Sequence, residues 1–241
     1  MQRKRLYFDL ETSPNIGFFW SAGHKLNIGY ENIIKERAII CVCYKWEGDN
    51  KVYSLTWDKH QSDKKLLEEF IKIANQADEL VGHNGDAFDL PWVRTRCLFH
   101  RIDLFPNYTT IDTLKLARNK FRFNSNRLNY IAQYLGIGKK IKTEFDLWKD
   151  IVLNKSETAL NKMVAYCKQD VKLLEEVHQK LKNHELSKTH YGVVNGKNKT
   201  GCPECGSPSV HKQRTRVLAS GGKRDEYKCT KCGKYHSKYV K

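Results

Sequence analysis

Residues Arg5–Thr12 read RLYFDLET, and this stretch organises the rest of the chain. Arg5–Leu10 (RLYFDL) is a short apolar run ending in charge, as expected of a β-strand. Strand side chains alternate between faces, so Asp9 and Glu11, two apart at the strand's end, point to the same side. Two carboxylates held that close call for a cation. Further β-rich runs follow at Ala38–Trp46 (AIICVCYKW) and Val52–Thr56 (VYSLT). Gly48, Asp49 and Asn50 supply a turn between them, which predicts a hairpin. Ser62–Gln76 carries Leu66, Leu67, Phe70, Ile71 and Ile73 at helical spacing, and Glu79–His83 (ELVGH) reads as another strand. Alternating strands and helices indicate an α/β sandwich.

Beyond Pro91 the pattern becomes helical, over Pro91–His100, Thr113–Asn119, Arg127–Leu135 and a long segment from Glu157 to Leu181. In the last of these, Leu160, Val164, Cys167, Val171, Leu174 and Leu181 recur mostly every three or four residues, which turns one stripe to the core. From His184 to Gly201 the chain becomes polar and glycine-containing, and a cysteine-rich tail follows. The expected organisation is a domain over 1–183, a linker over 184–200 and a small domain over 201–241. A chain of 241 residues suffices for one substantial core and a small second one.

The formal net charge of +16 exceeds what solubility requires and favours a polyanionic partner. Residues 185–241 hold 13 Lys and Arg against 4 Asp and Glu, a net +9 that leaves +7 for the remainder. No apolar run approaches the roughly 18 residues of a bilayer span, and Met1–Arg5 leads into the first strand without a signal-peptide core. A soluble, cytoplasmic protein with no membrane partner is expected, and nucleic acid is the expected polyanion.

Two further polar clusters accompany Asp9 and Glu11. Gly82–Asp89 (GHNGDAFD) is a strand end, a glycine turn and a helix start. Taken singly, Asp89 is a helix cap and Asn84 a turn residue. Tyr166–Asp170 (YCKQD) lies in the long periodic helix, where a spacing of four stacks phenol and carboxylate on one face. Taken singly it is a half-buried tyrosine beside a surface aspartate.

In order, on a strand end, a strand-to-helix turn and a late helix, the three clusters resemble the motifs of the DEDD exonuclease superfamily. The likeness is to its tyrosine-bearing subgroup, which includes polymerase proofreading domains and ribonuclease D. FDLET resembles the first motif, HNGDAFD the second and YCKQD the third, and Ile111–Arg118 and Leu128–Ile137 resemble the helical stretches between the last two. The likeness spans roughly residues 3–183. It implies a ribonuclease-H-like mixed β-sheet flanked by helices and 3′-to-5′ hydrolysis of nucleic acid. It also implies two divalent cations, one on Asp9, Glu11 and Asp170 and the other on Asp9 and Asp89, with Tyr166 orienting the attacking water. All-oxygen ligation suits Mg²⁺ or Mn²⁺. Asn84 and Phe88 are candidate contacts to the 3′-terminal nucleotide, and Asp86 is an extra acid. Phe19 and Trp20, in the loop after the first motif, either stack on unpaired bases or pack beneath their own loop.

In the tail, Cys202-Pro-Glu-Cys205-Gly and Cys229-Thr-Lys-Cys232-Gly enclose 23 residues. Each CxxC turn aims two thiolates at one point, and two such turns complete a closed tetrahedral site for one structural zinc in a small β zinc ribbon. The remaining cysteines, Cys41, Cys43, Cys97 and Cys167, read as small buried hydrophobes. Lys212, Arg214 and Arg216 recur at every second position of a predicted hairpin, giving a basic face that suits phosphate contact. Single-stranded DNA is the favoured substrate, because the motif likeness is to proofreading domains. The alternatives are an exoribonuclease and a non-catalytic nucleic-acid-binding module; recruitment to a replication or repair protein through the ribbon is the expected protein contact.

Overall fold

The central strand of the sheet is β1 (Arg5–Thr12), which carries Asp9 and Glu11. The structure, a computed structural model, describes residues 3–21, 23, 28–105, 107–141 and 143–240; Met1 and Gln2 of the basic leader lie outside the described residues. Leu6, Tyr7 and Phe8 are at most 1% exposed, because β1 is covered on both faces. It pairs antiparallel with β4 (Ile39–Trp46) and parallel with β6 (Glu79–Gly82). β5 (Tyr53–Thr56) lies antiparallel beyond β4, closing the hairpin expected at Gly48–Asn50, and β7 (Thr110–Asp112) lies parallel beyond β6. The order is β5-β4-β1-β6-β7, a mixed five-stranded sheet.

Helices cover both faces. On one, α1 (Lys64–Ala74) and α2 (Asp89–His100) bury Leu66, Phe70, Leu90 and Val93 against Leu6, Phe8, Leu10 and Val42. On the other, α3 (Thr113–Lys120), α4 (Leu128–Tyr134), α5 (Asp146–Val152) and α6 (Glu157–Leu181) pack against Tyr7, Cys41 and Cys43. The α6 helix spans the residues its periodicity predicted and begins at Ser156, whose hydroxyl accepts from the Ala159 N–H at 3.2 Å. Its buried stripe includes Met163, Cys167, Val171, Leu174 and Val177. Asp63, just before α1, is fully buried and ties the α1–α2 layer to the sheet: it accepts from the Ile39 N–H at 2.9 Å and from Arg96 at 2.8 and 2.9 Å. No helix among the described residues is long and apolar enough to cross a membrane.

Between β1 and β4 the chain forms a small two-stranded ribbon, Ile16–Gly17 (β2) with Ile33–Lys35 (β3). The tail folds into an antiparallel sheet of β8 (Val210–Val217), β9 (Lys223–Cys229) and β10 (Tyr235–Val240), ordered β10-β9-β8. The polar stretch before it is anchored to the larger domain. Thr189 donates through N–H and Oγ1 to Glu79 at 3.1 and 2.6 Å, and Glu185 accepts from His178 of α6 at 3.0 Å. A short helix, α7 (Tyr191–Val194), follows.

A cluster of buried charges joins the tail to the sheet. Arg3 forms a bidentate pair with Glu204 at 2.7 and 3.1 Å, and Arg5 donates to Glu79 at 2.6 and 2.8 Å and to Glu204 at 3.3 Å. Arg5 and Glu79 are each 1% exposed. Burial opposes ionisation of Glu204, but the hydrogen bonds and charges of Arg3 and Arg5 win and bring its carboxyl down to about 2.

Candidate active site

The carboxylates predicted to converge are brought together at the C-terminal end of β1. Asp9 and Glu11 share a face of that strand, and Asp170 faces them from α6; one oxygen from each lies within 4.8 Å of the others. Asp89, the first residue of α2, reaches the same strand from the opposite layer, where its Oδ1 accepts from the Leu10 N–H at 3.2 Å. Tyr166, one turn before Asp170 on α6, is half-buried beside them.

Electrostatically this cluster is under strain. Burial, followed by the charges of Asp89, Glu11 and Asp170, holds the Asp9 carboxyl far above the ordinary carboxylate range. Burial and then Asp170 push Glu11 up to about 8, and burial raises Asp89 to about 7 against the Leu10 N–H. Asp170 is also raised, by burial, and its Oδ1 is buried without a hydrogen-bond partner. Packed acids with an orphaned oxygen are a ligand set suited to hard divalent cations.

One compensating charge was not anticipated from sequence. Lys140 donates to Asp170 Oδ2 at 2.5 Å, and its ammonium sits 5.5 Å from the centre of the Tyr166 ring. Burial opposes its charge, but Asp170 raises its pKa above the usual lysine range. The lysine reaches the site because its own N–H donates to Asn129 Oδ1 at 2.8 Å, pinning the loop after α4. In sequence, Lys139 and Lys140 are two lysines in a polar loop, with no spacing that singles either out.

The turn carrying the second motif is built by close packing. A Cβ on Gly82 would lie 3.1 Å from the Gly85 Cα, so neither glycine tolerates a side chain without displacing backbone. Asn84 adopts φ 70°, a left-handed conformation that Asn tolerates, and its N–H donates to Asp112 at 3.0 Å. Asp112 also caps α3 through the Leu114 N–H at 2.9 Å. His83 spans Thr113 Oγ1 and the Asn126 carbonyl at 2.9 and 3.0 Å, and burial lowers it to about 4, so it is neutral.

The candidate substrate contacts fall in different surroundings. Asn84 lines a cleft of about 670 Å³ together with Arg118, Arg127, Asn129 and Lys140. Phe88 is partly buried against the α1–α2 core. Trp20 stands fully exposed, whereas Phe19 lines a groove of about 390 Å³ with Phe145, Trp148 and Val152. Trp148 Nε1 donates to the Thr12 carbonyl at 3.0 Å, tying that groove to the end of β1. Lys212, Arg214 and Arg216 line the ribbon's β8, but each is paired, with Asp225 at 2.8 Å and with Glu226 at 2.6 and 2.7 Å.

Beneath the carboxylates the fold brings three of the apolar-segment cysteines together. The sulfurs of Cys41, Cys43 and Cys167 lie within 4.8 Å of one another, and Cys167 Sγ sits 3.6 Å from Asp9 Oδ2. All three are buried, as expected, but their sequence spacing gave no sign of the cluster.

In the tail, Cys202 and Cys232 sulfurs are 3.7 Å apart and those of Cys205 and Cys229 are 3.6 Å apart. Zinc–sulfur bonds of about 2.3 Å place sulfurs roughly 3.8 Å apart in a tetrahedron, so the four thiols fit that ion. Gly206 and Gly233 take φ 68° and 76° to donate back to the Cys202 and Cys229 carbonyls, which is why glycine follows each pair. Three strands and this cluster are compatible with a zinc ribbon.

The chain belongs to the RNase_H superfamily, whose family model RNase_H_2 matches residues 6–182, ending one residue past α6. Among solved structures it is similar to the family B DNA polymerase of the hyperthermophilic archaeon Pyrobaculum calidifontis, with a TM-score of 0.58 and 14% identity over 75% of this chain. The chain spans 25% of that polymerase's length. No curated protein matches it. The ribonuclease-H-like sheet expected from the motifs is therefore the fold, a nuclease fold whose acidic and cysteine clusters can hold metals.

Proposed function

We propose that the protein is a metal-dependent 3′-to-5′ exonuclease that removes nucleoside 5′-monophosphates from DNA, with single strands preferred. The observation that carries this reading is the convergence of Asp9, Glu11 and Asp170, with Asp89 and Tyr166 beside them, at one end of β1. The geometry supports Asp9, Glu11 and Asp170 as ligands of one Mg²⁺ or Mn²⁺ and Asp9 and Asp89 as ligands of a second. Bound there, such cations supply an acidified water and charge stabilisation for the attacking and leaving oxygens.

The chain's own residues do the remainder. Tyr166, whose phenol is kept protonated by burial and by Asp170, holds the attacking water by a hydrogen bond rather than taking its proton. Lys140, next to Tyr166 and Asp170, offers a fixed positive charge where the phosphate's charge grows. Asn84 orients the terminal nucleotide from the cleft wall. Residues 1–183 make up the exonuclease domain and 201–241 a ribbon closed by one structural zinc, which raises affinity for the strand. The 184–200 segment connects them.

The test is digestion of 5′-labelled and 3′-labelled single-stranded and duplex DNA and RNA with Mg²⁺ or Mn²⁺. A ladder shortening from the 3′ end of DNA supports the proposal. Hydrolysis confined to RNA replaces it with an exoribonuclease, and no metal-stimulated hydrolysis of any substrate ends it.

A further inference from the structure

The basic face of β8, read from sequence as the phosphate contact, is largely compensated inside the ribbon, since Lys212 bridges to Asp225 and Arg214 and Arg216 share Glu226. Several uncompensated polar groups lie instead beside β10, at the other edge of that three-stranded sheet. A cavity of about 480 Å³ opens between residues 186–190, the approach to the first zinc knuckle and β10. Its walls include Ser187, His190 and His236, and four of their atoms are buried with no partner: Ser187 Oγ, His190 Nε2 and both ring nitrogens of His236. Buried polar atoms without partners are destabilising, so several in one cavity indicate a ligand or ordered solvent that satisfies them.

The kind of partner follows from protonation. The Val193 N–H donates to His190 Nδ1 at 3.3 Å, so Nε2 is the ring atom left without a partner. His236 is stacked on Tyr227 with ring centres 5.5 Å apart, and burial lowers it to about 4. As a neutral imidazole it presents one donor and one acceptor. Adjacent donors and acceptors beside aromatic surface match the edge of a nucleobase. At the rim stand Lys188 and Lys199, both exposed and neither paired with a carboxylate among the described residues. Lys188 and Leu186 also line a second cavity, of about 270 Å³, together with Lys120, Asp86 of the second-motif turn and Lys115 of α3, the last two paired at 2.7 Å. Lys188 and Lys120, neither paired with a carboxylate among the described residues, therefore flank a path from the first cavity toward the second-motif turn.

We propose that this cavity is a second nucleic-acid site, holding one nucleotide of the single strand whose 3′ end lies at the carboxylates. Its phosphates rest on Lys188 and Lys199 and its base edge on His190 and His236. This rests on the exonuclease reading for the position of the 3′ end. The knuckle supports the wall directly, since the Pro203 carbonyl accepts from the Tyr191 N–H at 2.7 Å.

The experiment is fluorescence anisotropy of short (about 4-nucleotide) and long (about 20-nucleotide) labelled oligothymidylates on the full-length Asp9→Ala protein. Two further variants carry the test in that background: Lys188→Gln with Lys199→Gln, both surface positions, and His236→Phe, which keeps the ring stacked on Tyr227. The lysine pair should weaken long-strand binding about 10-fold and reduce the slope of log K against log salt by about 1.4. His236→Phe should weaken long-strand binding about 5-fold with the salt slope unchanged, and the short oligomer should bind equally to all three proteins. Equal affinities and slopes throughout overturn the second site while leaving the exonuclease reading intact. Equal weakening on short and long strands also overturns it. If the expected pattern appears in binding but wild-type protein cleaves nothing, the second site stands and the exonuclease reading falls.

Discussion

The two ends of β1 treat charge in opposite ways. At its start, Arg3 and Arg5 are buried among Glu47, Glu79 and Glu204, and the protein supplies both signs itself. At its end, four carboxylates gather with Lys140 as the one lysine paired to them among the described residues, and the positive charge has to come largely from outside. The carboxyl pKa values record the difference, with Glu204 pulled down to about 2 and Glu11 pushed up to about 8. One strand thus carries a finished structural clasp and an unfinished site. Completeness of the charge set, rather than burial, separates structure from function here, since Asp89 and Asp170 are as deeply buried as Arg3 and Glu204.

The largest stability effect is expected where the balanced end is broken. Arg5→Met leaves Glu79 and Glu204 buried without their main partner and should cost about 3–5 kcal/mol in urea unfolding; a change within error would show that the clasp carries no stability. Removal of the zinc proposed for the four cysteines would act on the same end, because Glu204 lies between Cys202 and Cys205. Stripping the metal should loosen the knuckle and lower the thermal midpoint of the nuclease domain, through a loss of about 2–3 kcal/mol. A midpoint in the first domain indifferent to zinc would separate the two regions.

The contrast also predicts opposite pH slopes. Glu11 and Asp89 have raised folded pKa values, so between about pH 8 and their unfolded values the folded state binds more protons than the unfolded one. Metal-free protein should therefore gain stability as pH falls through that window. Glu204 has a depressed folded pKa, so its contribution is complete above the usual glutamate value and is lost as pH falls toward about 2. Denaturation across pH should give a maximum between the two regimes, and Mg²⁺ should flatten the high-pH side alone. The smallest effect concerns Lys140. Lys140→Met should destabilise metal-free protein by about 1–2 kcal/mol and enlarge the rise in midpoint on adding Mn²⁺; an unchanged metal response would remove the lysine from the site's charge balance.

Much of this was legible in the sequence because it was carried by periodicity and spacing. The alternation in RLYFDLET placed Asp9 and Glu11 on one face, the stripe of α6 set its limits, and the two CxxC pairs located the ribbon. Elements stabilised by tertiary contact left weaker signals. β7 has three residues, α5 has seven, and β10 (YHSKYV) has no regular apolar alternation. Long-range pairing was not legible. In sequence Arg3 and Arg5 are only charged residues leading into the first strand, yet they are 6% and 1% exposed and paired with Glu79 and Glu204. The polar 184–200 stretch reads as a linker, and only the fold reveals that Glu185 and Thr189 anchor it. Lys140 and the Cys41–Cys43–Cys167 cluster were invisible for the same reason, since each depends on side chains brought together from distant parts of the chain.

The acid end of β1 is most directly tested by time courses of 5′-labelled single-stranded DNA with Mn²⁺, for the wild-type protein and Asp9→Ala, with circular dichroism verifying that both are folded. The wild-type chain should shorten the strand one nucleotide at a time from its 3′ end, and the variant should lose at least about 10³-fold in rate, because the removed carboxylate touches both proposed cation positions. Equal rates in the two folded proteins would contradict the account.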